Sequence, residues 1–128
     1  MSIKDRVRVL ATIISNREMG EDQEMMLDIV HGFEKNCVAY IEGVANMENV
    51  LNIGRFRLEP EDYRAEVRRL DERRSILHNV VIGDCTILNR FCQSYDIENI
   101  YEGNLADRYE VAEFAKKYID ELWKDRQK

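Results

Sequence analysis

The sequence predicts an all-α fold: an antiparallel up-down-up-down four-helix bundle with two long central helices, making one domain of residues 1–128. Three observations predict it. Apolar residues make up 45% of the chain and charged residues 34%, with six glycines and one proline, a balance unlike disordered or turn-dense all-β chains. Apolar residues recur in alternating steps of four and three along four stretches, the spacing of a helix that buries one narrow seam. Helix-starting and helix-ending residues stand at the edges of those stretches.

Ser2 followed by Asp5 is a variant capping box, so the first helix starts there. Ile3, Val7, Leu10 and Ile14 form its seam, widened by Ile13, and the pattern ends between Asn16 and Gly20. From Asp22 the second helix carries Met26, Val30, Phe33, Cys37, Tyr40, Val44, Met47 and Leu51 with no charged interruption. Gly32 and Gly43 lie inside it, each costing up to ~1 kcal/mol relative to alanine, and mark a kink or a close helix crossing. Gly54 is expected to end this helix in the left-handed conformation.

Pro60 suits the first turn of a third helix, where its missing N–H costs nothing, and Glu59, Glu61 and Asp62 add favourable charge there. Its seam runs through Tyr63, Val67, Leu70, Arg74, Leu77, Val81, Asp84, Leu88, Phe91 and Tyr95. Unbroken, this helix has about 36 residues and a length on the order of 50 Å; a break at Gly83-Asp84 would give five helices. Ile97, Ile100 and Tyr101 should fold the next connection back over the bundle end. Asn104 or Asp107 caps a fourth helix with Val111, Ala115, Tyr118 and Leu122 inward and Phe114, Ile119 and Trp123 widening the face. Lys124 to Lys128 is expected to fray.

A net charge of −6 argues against charge-driven affinity for nucleic acid or anionic membrane. Arg64, Arg68, Arg69, Arg73 and Arg74 could form a basic patch, but acids are interleaved with them, so they read as an exposed face with pairs such as Glu66–Arg69 and Arg68–Glu72. Three cysteines, Cys37, Cys85 and Cys92, with no C-x-x-C pair suit a reducing cytoplasm. The N-terminus has no signal-peptide core, and no apolar run approaches the ~20 residues that span a bilayer. The expectation is a cytoplasmic protein without membrane contact.

Arg74 and Asp84 are the two charges in the third seam. Burying an unpaired charge costs several kcal/mol. Ten residues along one helix separate them by about 15 Å, so each is expected to find a partner on another helix or a second subunit. With His78 they outline a buried polar pocket of Arg74, His78 and Asp84. The plainer reading is that Arg74 reaches the bundle edge and Asp84 fixes register.

Arg73-Arg74-Ser75-Ile76-Leu77-His78 is an R-x4-H element that resembles the ribonuclease motif of HEPN-domain proteins, small all-α bundles whose active members cleave RNA without a metal. The resemblance covers six residues. It implies that Arg73 stabilises phosphate charge and that His78 acts as acid or base, with Arg74 assisting. Arg74 stands where that family commonly has a small polar residue, and the element lies inside a long helix instead of near a helix start.

Glu24, Asp28 and His31 line one side of the second helix, but Lys35 follows them and Ser75 stands three before His78, so no second ligand motif completes a metal site. No metal and no cofactor are expected. His78, Cys85 and Cys92 repeat every seven residues, ~10 Å apart, and flank the seam. The function expected is a non-catalytic binding or regulatory module acting through protein contacts. Self-association is included, because heptads of this length can pair between chains. The alternative is RNA cleavage by Arg73, Arg74 and His78.

Overall fold

Ser2 Oγ accepts a hydrogen bond from the Asp5 N–H at 3.1 Å, and helix α1 (Ile3–Arg17) follows from that cap. In the computed structural model, which describes residues 1–127, helix α2 spans Gly20–Asn49, α3 spans Pro60–Ser94 and α4 spans Arg108–Arg126. The protein is all-helical, with these four helices and no strand among the described residues. Only Glu18 and Met19 separate α1 from α2. Gly20 turns the chain with φ of +65°, a value at which a Cβ would strain the backbone by about 1–2 kcal/mol.

Gly54 departs from expectation. It is right-handed, with φ of −56°, inside a π-helical turn, Val50–Gly54, that extends α2, and one further α turn, Arg55–Arg57, follows. A Cβ on Gly54 would come within 3.1 Å of Val50 Cγ1, so the glycine makes room for the wide turn instead of ending the helix. The chain reverses at Leu58 and Glu59, which are extended, and Pro60 opens α3 at its first position. Gly83 does not break α3.

Successive contacts order α2 against α3. Asn36 meets Asp84, Tyr40 packs on His78, and a Cβ on Gly43 would lie 3.0 Å from Leu77 Cδ1, so one helix rises in number as the other falls and the two are antiparallel. Gly43 is thus the close crossing. Gly32 and Gly83 have nothing within 4 Å of a built Cβ. Gly32→Ala and Gly83→Ala are each expected to raise stability by about 0.5–1 kcal/mol, because alanine narrows the unfolded ensemble at no steric cost. Urea unfolding checks this, with Gly43→Ala gaining less because Leu77 must move.

The core follows the seams. Ile3, Val7, Leu10 and Ile14 of α1, Val30, Phe33, Cys37 and Tyr40 of α2, Val81, Cys85, Leu88 and Cys92 of α3, and Val111, Ala115, Tyr118 and Leu122 of α4 are all buried in one cluster. Trp123, expected inward, is instead 61% exposed, one step past the seam at Leu122. The expected fraying of the tail is also corrected: α4 continues to Arg126, whose guanidinium pairs with Glu34 at 2.6 Å. Lys128 lies outside the described residues.

The connection after α3 is ordered by its own backbone and by one side chain. Asp96 takes φ of +56°, Asp96 N–H donates to Gln93 O, and Ile97 N–H donates to Cys92 O, a Schellman closure with aspartate where glycine is usual. The chain then turns back along α3. Asn89 Oδ1 accepts from Ile100 N–H at 2.9 Å and Tyr101 N–H at 3.2 Å, and Asn89 Nδ2 donates to Tyr101 O at 2.9 Å. Asp107 caps α4 through the Tyr109 and Glu110 N–H groups.

Candidate functional site

The Arg73 to Asp84 window of α3 does not gather its polar residues at one point. Arg73 is exposed. Arg74 is held by Asp71, three residues back on its own helix, at 2.8 Å, and its side chain is 11% exposed. Its partner is therefore local, whereas the seam argument expected one from another helix or subunit; the long arginine bends along the helix to reach a carboxylate at the bundle edge. Asp84 sits further along α3, where Asn36 Nδ2 donates to its Oδ2 at 2.7 Å. Burial pushes the Asp84 carboxyl upward, and the Asn36 hydrogen bond opposes that shift.

Arg74 and His78, one turn apart, share a side of α3, and Tyr40 of α2 lies against them. The His78 and Tyr40 ring centroids are 5.7 Å apart, and Tyr40 Oη donates to Arg108 O at 3.0 Å. His78 Nε2 is buried with no hydrogen-bond partner. Burial pushes the imidazole below its ordinary value of 6.5; the positive charges of Arg74 and Arg108 push the same way, and a hydrogen bond to the Leu105 backbone opposes them. His78 thus presents a buried Nε2 to the bundle while Arg73 faces solvent.

The depressed His78 value carries a pH signature. The unfolded chain protonates His78 first as pH falls, so the His78 contribution to folding stability is fully present well above pH 6.5 and is lost as pH falls through that value toward the lower folded one. Urea midpoints measured between pH 7.5 and 5 should show this decline, and His78→Phe should remove the part of the slope due to His78.

Beside Tyr40 and Arg74 a groove of about 750 Å³ opens between α2 and the first half of α4. Val44, Met47 and Leu51 supply apolar wall, and Glu48, Arg108 and Lys116 stand among its charges. The groove continues into an arm. Beyond Gly43, α2 and its extension run on to Arg57 and α3 returns from Pro60, a hairpin about 20 Å long at 1.5 Å per residue. No residue between Gly43 and Leu70 is buried. Yet Phe56 is 76% exposed, Leu51 and Ile53 are 41% exposed, and Leu58 is also exposed. The seam that the core covers up to Gly43 loses its cover stepwise, with Val44 and Met47 half-buried and Leu51 exposed.

A family model described as "Protein of unknown function (DUF3232)" matches residues 2–128, arm included. The chain belongs to the DUF3232 family. No curated protein and no solved structure matches it. No helix among the described residues is long and apolar enough to cross a membrane. Among the described residues no three His, Cys, Asp or Glu side chains come together as a metal site, and Glu24, Asp28 and His31 form no such group.

The spacing pointed to Arg74 and His78 but missed the groove and the arm. A signal for the arm stands in the chain: α1 and α4 have 15 and 19 residues against 30 and 35 for α2 and α3, so the short helices leave part of the long hairpin uncovered.

Proposed function

We propose that this chain is a non-catalytic binding module that works through protein contacts made by the arm, residues 44–69, and the groove at its base. The observation that carries the reading is the apolar seam of α2 that runs out from the core beyond Gly43 to leave Leu51, Ile53 and Phe56 at the surface. Exposed apolar side chains scattered singly are ordinary, but here they are grouped on one projection with charges around them, which is how a binding surface is built. The π-helical turn at Val50–Gly54 adds weight, since such turns gather at functional sites.

The bundle supports this reading as a scaffold. The antiparallel pairing of α2 and α3 supports an alternation of direction through the first three helices. The return of the connection to Asn89 supports α4 entering beside Tyr40 and running in the same direction as α3, in place of the final reversal of an up-down-up-down bundle. Three unpaired, buried cysteines support a reducing location such as the cytoplasm.

A photo-reactive amino acid in place of Phe56, in the intact chain expressed in cells, tests the reading. A discrete protein adduct is expected there. The same group in place of Met19, which is 85% exposed but far from the arm, serves as control. Equal or absent labelling at the two positions would sink it.

A further inference from the structure

The arm carries a charge pattern whose signs exchange when its direction is reversed, so it is complementary to itself. On α2 and its extension, Glu48 stands near the base and Arg55 toward the tip, symmetric about Leu51 and Asn52. On α3, Arg64 stands toward the tip and Asp71 toward the base, symmetric about Val67 and Arg68. These two midpoints lie side by side. Contacts between α2 and α3 pair residues 36 with 84, 40 with 78 and 43 with 77, and the same register carried outward sets Leu51 beside Val67 to Arg69. One axis perpendicular to the arm therefore serves both helices.

We infer that the arm's partner is a second copy of this chain, laid antiparallel across it on a two-fold axis at the level of Leu51 and Val67. This rests on the reading of the arm as a binding surface and names its occupant. Under that axis Glu48 of one copy faces Arg55 of the other, and Arg64 faces Asp71, each contact occurring twice by symmetry. Among the described residues Glu48, Arg55 and Arg64 form no ion pair within the chain, while Asp71 keeps an exposed carboxylate beside Arg74. Two hairpins crossed in this way make four helices around one seam and complete the cover of Met47 and Val67, half-buried in one chain, and of the exposed Leu51. The π-helical turn fits the same surface. Its i→i+5 closure lengthens one step of the repeat between Leu51 and the exposed Phe56.

The test is sedimentation equilibrium on the full chain at micromolar concentration, with Glu48→Arg and Arg55→Glu variants. The wild-type chain is expected to be a dimer. Each variant alone sets like charges opposite each other twice per dimer and should weaken association by about tenfold or more. Mixing the two variants should restore it, because a mixed dimer satisfies both contacts, and no rearrangement within one chain can produce that result. A dimer indifferent to both variants, or singly weakened variants that do not recover on mixing, would overturn the proposed axis. A monomeric wild-type chain whose Phe56 position cross-links to a different protein would overturn the second-copy occupant while leaving the arm a binding surface. A monomeric chain with no arm cross-link removes both.

Discussion

Phe33→Ala is expected to lower unfolding free energy by about 3–5 kcal/mol, a third or more of the 5–15 kcal/mol typical of a domain of this size. Phe33 has no exposed surface and stands where α2 meets α4. Its ring stacks on Tyr118 at 5.3 Å between centroids and tilts against Phe114 at 6.2 Å, and Phe114 in turn meets Tyr101 edge-on at 4.6 Å. Truncation leaves a cavity walled by the Tyr118 and Phe114 rings, which cannot close without moving α4. The loss should appear as a lower urea midpoint with an unchanged m-value. Phe33→Leu, which fills most of the space, should lose less than half as much.

Asn89→Leu is expected to cost about 3 kcal/mol or more, although the side chain is polar and only half-buried. Its amide satisfies two N–H groups and one carbonyl of the Ile100–Tyr101 segment, and Ile100 is fully buried. Each backbone group left without a partner away from water costs about 1–3 kcal/mol. Leucine matches the shape and supplies none of the three bonds. Hydrogen exchange resolves the mechanism: the Ile100 and Tyr101 amides should lose protection in the variant more than the α2 amides do. Asn89→Asp keeps the acceptor and loses the donor to Tyr101 O, and should fall between wild type and leucine.

These two residues differ in how far they could be read from the chain. Phe33 belongs to an unbroken four-three run, and that spacing reports burial directly because residues on one stripe of a helix share one environment. The seams of α1 and α4 were legible in the same way, down to Ile14 and Leu122. Asn89 was not, because an asparagine on α3 gains its role only when a segment eleven residues later folds back onto it. Periodicity also names a face without naming what covers it. Leu51 keeps the register of Phe33 and Tyr40, yet it is left 41% exposed. Arg74 shows the limit for charges: its seam position required a partner, but spacing could not say that Asp71 on the same helix would supply it. Gly54 was read as a stop, and only the geometry of a π-helical turn reveals a glycine that lets the helix widen and continue.

The separation between core and arm divides the chain into two sets of positions under different pressures. A change at Phe33 or Leu88 is felt first by the fold and removes the protein from circulation whatever it binds. A change at Leu51, Phe56 or Arg64 leaves the buried cluster untouched, so the molecule survives to be tested on its associations alone. Sequences descended from a common ancestor could therefore diverge in what they recognise without crossing an unstable intermediate. Under the proposed two-fold axis, lineages that retain self-association should show paired exchanges at positions 48 and 55, or at 64 and 71, against a steady background of unchanged core.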